Sequence, residues 1–430
     1  MQGEQVEELF RQASELKQNS DWQGALAVYE KIYADESQRN NQNLVLSMLS
    51  CLKKLEQYER AIEIGLPACE LEGRWDAVAS LTAWCIYFHH FKKPRQLSAE
   101  QAVEWLETIK RILPQSLGLH PLPLAVFSYL GNSPDLMPSL VVQICRLLDP
   151  DLLDTTKQPS KKPGTSYPSP WEKHASLLSK ALFNAGDYPA CFNLCREVLN
   201  RNLELSTNAD IWFRRRMALC LGKQGDYLSA LKEYEQILPR KRDWFILYEA
   251  ALAAYRLGQT DRSLELALQA ANAYGDADNK IHLWELLQNL MAIKKEFDRS
   301  IAMLKLCAAI RKQRNWRMDN NLIMDLKAHN IDLDSLPPYK VILRDCQAWM
   351  RPGQPIEQNN LQGRVSNLLP HGKAGFIKSE NQSYYFQVSQ CLFPVEDLHI
   401  GLKVAFCTRK SFDHKKQQES VIAVKIKKLG

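Results

Sequence analysis

One local phrase recurs along this chain and commits most of its length to paired helices. It runs as a turn of Gly, Asp or Glu type, then an aromatic, then a small residue three positions later, then an aromatic or small residue four after that. The clearest copy is Gly225-Asp226-Tyr227 with Ala230 and Tyr234. The same form appears as Asp21-Trp22 with Ala25 and Tyr29, as Tyr58 with Ala61 and Gly65, and as Gly186-Asp187-Tyr188 with Cys191 and Cys195. Looser copies are Gly258 with Ser263 and Ala267, and Phe297 with Ser300 and Leu304. Successive small positions stand 36 (25 to 61), 39 (191 to 230), 33 (230 to 263) and 37 residues (263 to 300) apart. In two copies another small residue stands twelve positions earlier, Ala13 before Ala25 and Ala218 before Ala230. Two antiparallel helices joined by a tight turn need a residue that tolerates the turn, and they approach closely only where small side chains meet. The aromatic then fills the wedge between neighbouring hairpins.

This pattern resembles the tetratricopeptide repeat, a helical hairpin of about 34 residues. The match is good around Ala25, Cys191 and Ala230 and looser elsewhere, and an array of another helical-hairpin type is the structural alternative. The array is interrupted. Residues 75–112 read as longer helices, including Ala99–Leu113 with Ser98 as N-cap and Glu100 close behind. Pro114, Pro121, Pro123, Pro134 and Pro138 are expected to break regular helix over 113–140. Residues 149–170, with Asp149-Pro150, Gln158-Pro159-Ser160-Lys161-Lys162-Pro163-Gly164 and Pro168-Ser169-Pro170, read as a mobile linker poor in apolar side chains. The expected organisation is a helical-repeat region over 1–148, this linker, a second array over 171–315, a helical connector over 316–358 with a break at Leu336-Pro337-Pro338-Tyr339 and a linker from Pro352-Gly353-Gln354-Pro355, and a small β domain over 359–430.

The β domain is set apart by charge. Residues 361–430 carry 11 Lys and Arg against 5 Asp and Glu, and residues 1–360 carry 44 of each, so the whole net charge of +6 sits in the tail. Its pattern also changes to short alternating strands, about Leu361–Leu368, Ala374–Ser379, Ser383–Ser389, Lys403–Thr408 and Val421–Lys427. Turns are expected at Pro370-His371-Gly372, Glu380-Asn381-Gln382, Ile400-Gly401 and the loop Ser411–Gln418. Five short strands in about 70 residues suit a small Greek-key barrel of the OB type. The chain thus reads as multidomain: an α-helical solenoid of hairpin repeats followed by a five-stranded β-barrel.

Within the tail, Gly372-Lys373-Ala374-Gly375-Phe376-Ile377 resembles the first nucleic-acid motif of cold-shock domains, a Lys-Gly-aromatic-Gly-Phe-Ile pattern. Tyr385-Phe386-Gln387-Val388-Ser389 resembles the second, an aromatic-Phe-His-aromatic-Ser pattern. Gly401-Leu402-Lys403-Val404-Ala405-Phe406 and Val421-Ile422-Ala423-Val424 resemble the later strands of that family. The resemblance covers about 70 of 430 residues, in the right order throughout. It implies that Phe376 and Tyr385 are stacking platforms, that Gln387 stands where the family has His, and that Lys373 contacts a phosphate or base edge. The chain departs from the pattern where Gly372 and Lys373 stand in reverse order, where Ala374 and Val388 replace aromatics, and near Ser366-Asn367-Leu368, which lacks one. Each lost platform removes about 1–3 kcal/mol of stacking. Lys403, Arg409 and Lys410, with Lys415, Lys416, Lys425, Lys427 and Lys428, partly compensate through salt-sensitive phosphate neutralisation.

Other chemistry is sparse. The 11 cysteines are scattered and odd in number, which argues against a disulfide framework and for a reducing compartment. Cys191 and Cys195 have no matching His/Cys pair nearby and read as small residues in a helix seam rather than half a metal site. Arg214-Arg215-Arg216 and Arg240-Lys241-Arg242 read as solvated faces in a region of neutral total charge. No apolar run of about 18 residues marks a membrane span, and Met1-Gln2-Gly3-Glu4 opens no secretory signal, so the expected location is cytoplasmic. No phosphate loop, zinc-hydrolase, nucleophile-elbow or dinucleotide motif is present in the sequence, and no cofactor or metal is expected. The sequence therefore points to a non-enzymatic adaptor, with a protein or peptide partner on the solenoid and single-stranded nucleic acid, RNA over DNA, on the barrel. Its domain order resembles the repeat and cold-shock-like components of the prokaryotic conflict systems called TOTE. The alternatives are a barrel that serves as a protein-docking module and a helical ribonuclease with a motif-poor site.

Overall fold

The computed structural model describes residues 3–71, 75–92, 97–113, 121–350, 356–370, 372–380, 382–413 and 418–429, with backbone alone at 356–360, 409–413, 418–420 and 425. Pro114, the segment Pro352-Gly353-Gln354-Pro355, His371, Asn381, Lys415 and Lys416 lie outside the described residues, as do the side chains of Arg409, Lys410 and Lys425. The chain divides into two compact units, Met1–Lys241 and Arg242–Gly430.

The first unit holds four tetratricopeptide-like hairpins among its described residues: Gly3–Gln18 with Trp22–Tyr33, Gln42–Lys54 with Tyr58–Cys69, Pro170–Asn184 with Tyr188–Asn200, and Ala209–Lys223 with Tyr227–Ile237. The second unit opens with two more, Trp244–Arg256 with Thr260–Asn272 and Ile281–Ile293 with Phe297–Gln313. All six share one turn. The helix ends on a left-handed residue: Ser20, Glu56, Gly186, Gly225, Gly258 or Lys295, with φ between 57° and 86°. The next amide reaches back five residues, as Asp187 N to Leu182 O (3.0 Å) and Asp226 N to Leu221 O (3.0 Å). The left-handed residue reaches back three, as Gly186 N to Phe183 O (3.1 Å). This pair of bonds is the Schellman motif, which satisfies carbonyls that the helix end leaves open. The residue after the left-handed one then begins the second helix. Asp21, Asp187 and Asp226 cap it by accepting from the amides of Gly24, Ala190 and Ser229.

The twelve-residue spacing between small residues has a direct cause. Ser263 Oγ donates to the Ala251 carbonyl at 2.8 Å, Ser300 Oγ to that of Gln288 at 3.0 Å, and Cys191 Sγ to that of Ser179 at 3.1 Å. Position i of the second helix therefore faces the backbone of residue i − 12 on the first. Ala, Ser or Cys stands at position i in all six hairpins, and Ala13, Ala25, Ala218 and Ala230 are fully buried. Tyr29 and Tyr234 are buried beside them. Each Val, Leu or Ile side chain fully withdrawn from water beside these seams contributes about 1.5–3 kcal/mol.

Between the second and third hairpins lie Asp76–Ile86, continued by a π-helical turn at Tyr87–Phe91, then Ala99–Ile112, Pro121–Asn132 and Pro138–Cys145. Ser98 caps Ala99–Ile112 in a reciprocal box completed by Gln101 rather than by Glu100. Pro134 stands in the break between the last two of these helices, but other prolines expected to break helix here instead begin it. Pro121 and Pro123 stand in one helix's first turn and Pro138 opens another, where a missing N–H costs nothing. The segment read as a mobile linker also carries local structure. Gln158 and Pro159 pair with Tyr167 and Ser166, and residues 151–164 are tied to the loop after Asn200 by Arg201–Asp151 (3.4 Å), Lys157–Glu204 (2.8 Å) and a Thr207 Oγ1 bond to Gly164 O (3.4 Å). Leu153 of the same segment is also buried in the apolar cluster that holds Trp171 and Ala175.

In the second unit, Asn320–Ala328 and Tyr339–Met350 follow the hairpins. The barrel strands are β1 (Ile356–Leu368), β2 (Ala374–Ser379), β3 (Gln382–Gln387), β4 (Lys403–Asp413) and β5 (Gln418–Lys428). They close in the order β1-β2-β3-β5-β4 and back to β1, with β3 and β5 parallel and the other pairs antiparallel. This is the OB arrangement. The third strand stops two residues earlier than its alternation suggests, because Val388–Gln390 turns into a short 3-10 helix. Val365, Ile377, Phe386, Leu402, Val404, Phe406, Ala423 and Ile426 fill the interior.

Candidate nucleic-acid interface

Strand alternation sends neighbouring side chains to opposite faces of the barrel wall. On β2 and β3, Ile377 and Phe386 are fully buried, so Phe376 and Tyr385 point outward, each partly exposed. They are direct cross-strand partners, and their rings meet edge to face at 5.7 Å between centroids. This geometry leaves part of each ring surface to solvent. The next pair along is Ala374 with the exposed Gln387.

The glycine of the first motif is required by packing. A Cβ at Gly375 would stand 2.5 Å from the Asn367 carbonyl and 2.8 Å from the Phe386 ring. The bulge in β1 between Val365 and Asn367 sets this close approach and places Asn367 opposite Phe376. Ser366 Oγ fastens the bulge by donating to the Phe376 carbonyl at 3.1 Å. The outward positions Asn367, Phe376 and Tyr385 therefore form one row across β1, β2 and β3, and Ile422 on β5 continues it.

A second row runs beside the first. Arg364 on β1 pairs with Lys378 on β2 and with Lys403 on β4. All three side chains are exposed. Three cations thus lie in lateral register, two residues or about 7 Å along the strands from the aromatic row. Among the described residues none of the three has a carboxylate within ion-pair distance. Arg364 Nη1 donates to the Gly401 carbonyl at 3.4 Å.

The expected site residues separate accordingly. Phe376, Tyr385 and Gln387 come together, and Lys403 joins them from the cationic row. Lys373 is exposed one residue before β2, and its carbonyl accepts from Val388 N at 3.0 Å. Arg409 and Lys410 lie on the β4 backbone opposite Ile422 and Val421, about 20 Å of strand away from Lys403. Sequence reasoning missed Arg364, Lys378 and Asn367. Lys378 and Arg364 fall on the solvent phase of their strands, but only the bulged register shows that they align.

In the helical units, Cys191, Cys195 and Cys220 are buried with free thiols. Burial among neighbouring thiols raises the Cys195 thiol well above its ordinary range, with its hydrogen bond to Cys191 the largest cause. Cys191 and Cys195 thus sit in the seam of a hairpin, and among the described residues no group of three or more His, Cys, Asp or Glu is arranged to hold a metal ion. Of the cationic runs, Arg214 pairs with Glu233 at 2.9 Å and Arg240 with Asp210. Among the described residues no helix is long and apolar enough to cross a membrane.

No protein-family model and no curated protein matches the sequence. Solved structures similar to the chain include a complex of Naa15 and Naa10 bound to HypK-THB, with 11% identity, TM-score 0.39, and coverage of 80% of this chain and 51% of that one. Another is the C-terminal part of a TPR repeat-containing protein of Cytophaga hutchinsonii, with 13% identity, TM-score 0.32, and coverage of 74% and 99%. A third is the TPR2AB domain of yeast Sti1 in complex with pHSP90, with 13% identity, TM-score 0.29, and coverage of 68% and 98%. Likenesses this distant say nothing about what the chain binds.

Proposed function

We propose that the chain is a non-enzymatic adaptor, located in the cytoplasm, whose helical hairpins hold a protein or peptide and whose barrel holds single-stranded nucleic acid, RNA in preference to DNA. The observation that carries the second half is the pairing of an outward aromatic row with an outward cationic row on one barrel wall. Rings that leave part of their surface to solvent stack bases of any identity, and exposed cations neutralise phosphates. In the cold-shock-like reading, Phe376 and Tyr385 are the platforms, Gln387 and Lys373 reach base edges or phosphates, and Lys403, Arg409 and Lys410 add charge. With Ala374, Val388 and Asn367 where that family has rings, binding is weak and dominated by charge. Stacked hairpins give the remaining surface its use, since such arrays present long continuous faces to proteins and peptides. The domain order supports a setting in a conflict system, which the genes neighbouring the coding sequence test directly.

One observation favours a second reading, in which the barrel docks a protein. Leu392, Val395 and Ile400, in the connection from β3 to β4, are 61%, 56% and 62% exposed. The experiment is binding of fluorescent single-stranded RNA and DNA to the intact chain over a range of salt. The adaptor reading expects binding that falls steeply with salt. The docking reading expects none, and cleavage of the probe would favour a ribonuclease.

A further inference from the structure

The two rows on the barrel wall differ in what they can recognise. Lys378, Arg364 and Lys403 lie on three adjacent strands, so their Cα atoms span two strand spacings, about 10 Å. Cations that sit on phosphates position the strand and carry no base information. Tyr385 and Phe376 offer ring surface, which accepts every base. Asn367 differs from both. It is exposed, stands in the same row as the two rings, and carries an amide with two donors and an acceptor. Its neighbour Ser366 is also exposed, but its hydroxyl donates to the Phe376 carbonyl, and Asn367 is the bulge residue in register with the two rings.

Resting on the nucleic-acid reading above, we propose that Arg364, Lys378 and Lys403 form the phosphate track of this face and that Asn367 is its base-reading residue. A single strand crosses β2, β1 and β4 with its phosphates on the cationic row. Two of its bases rest on Tyr385 and Phe376, and the edge of a third meets the Asn367 amide. The ligand class is a single strand engaged over about three nucleotides, matching three cations and three row positions. Any base preference comes from the one non-aromatic member of the row.

The test uses the intact chain and labelled oligonucleotides of A, U and C at several salt concentrations. Single substitutions Arg364→Gln, Lys378→Gln and Lys403→Gln each lower the slope of log K against log salt by about 0.7, equally for every oligonucleotide. Asn367→Ala leaves that slope unchanged and brings the affinities for the three sequences together. Binding by the parent with slopes that the three cation variants do not alter would overturn the phosphate track. A preference that survives in Asn367→Ala overturns the base-reading assignment. A parent chain that binds no oligonucleotide at any salt instead removes the nucleic-acid reading itself.

Discussion

Gly372 and Gly375 stand three residues apart in the first barrel motif, and the structure requires each for a different reason. At Gly375 the obstacle is space. An added Cβ would meet the Asn367 carbonyl at 2.5 Å, Phe386 at 2.8 Å and Leu368 at 2.9 Å, and the first of these is backbone in a bulge that Ser366 pins. Overpacking of this kind costs about 1–3 kcal/mol. At Gly372 nothing lies within 4 Å, but φ is +67°, and a side chain held in that conformation costs about 1–2 kcal/mol. Asn tolerates the left-handed region, so the two sites separate by substitution. Gly372→Asn recovers much of what Gly372→Ala loses, whereas Gly375→Asn is worse than Gly375→Ala. Hydrogen exchange of the β2 and β3 amides in the intact chain reads the barrel without interference from the helices. A loss of 1–3 kcal/mol speeds exchange through opening roughly 5- to 150-fold. Unchanged protection in Gly375→Ala, or equal rescue by Asn at both sites, would refute the packing account of the motif.

The helical seams and turns make three further predictions. Cys191→Ser keeps the donor to the Ser179 carbonyl and costs under about 1 kcal/mol, whereas Cys191→Leu costs about 1–3 kcal/mol, as measured by denaturant midpoints. Lys295→Gly relieves a non-glycine residue at φ 61° and raises stability by up to about 1 kcal/mol, since the left-handed penalty exceeds the added chain entropy. Lys280 is buried, with Nζ donating to the carbonyls of Ala271 (3.2 Å) and Ala273 (2.5 Å), and burial pushes its pKa down to about 8 from 10.5 against the opposing pull of Asp276. Between those two values the unfolded chain binds the proton more tightly, so stability rises with pH across that window, by up to about 1.4 kcal/mol per unit. Comparing parent with Lys280→Met isolates this slope, and equal slopes in both would contradict it.

Much of the architecture was legible because it is written in local spacing. The Gly-Asp-aromatic turns, the twelve-residue pairing of small residues and the alternation of the five strands each follow from contacts within one hairpin. Three features escaped for physical reasons. Ser20, Glu56 and Lys295 hold left-handed positions that Gly would mark in a sequence, and nothing in their chemistry announces it. The polar ties of segment 149–170 join residues about 50 positions apart, which composition does not register. Arg364 and Lys378 were visible as charges, but their alignment with Lys403 depends on the bulge in β1 and on closure of β1 against β4. The same bulge sets Asn367, rather than Ser366, opposite Phe376.

We propose the outer wall of β2 and β3 as a stacking surface for single-stranded nucleic acid. The most direct test compares the affinity of the intact chain with that of the Phe376→Ala, Tyr385→Ala double variant for the same oligonucleotide at fixed salt. Loss of two platforms at about 1–3 kcal/mol each predicts a drop of at least roughly thirtyfold with an unchanged salt slope. A double variant that binds as tightly as the parent would contradict the claim.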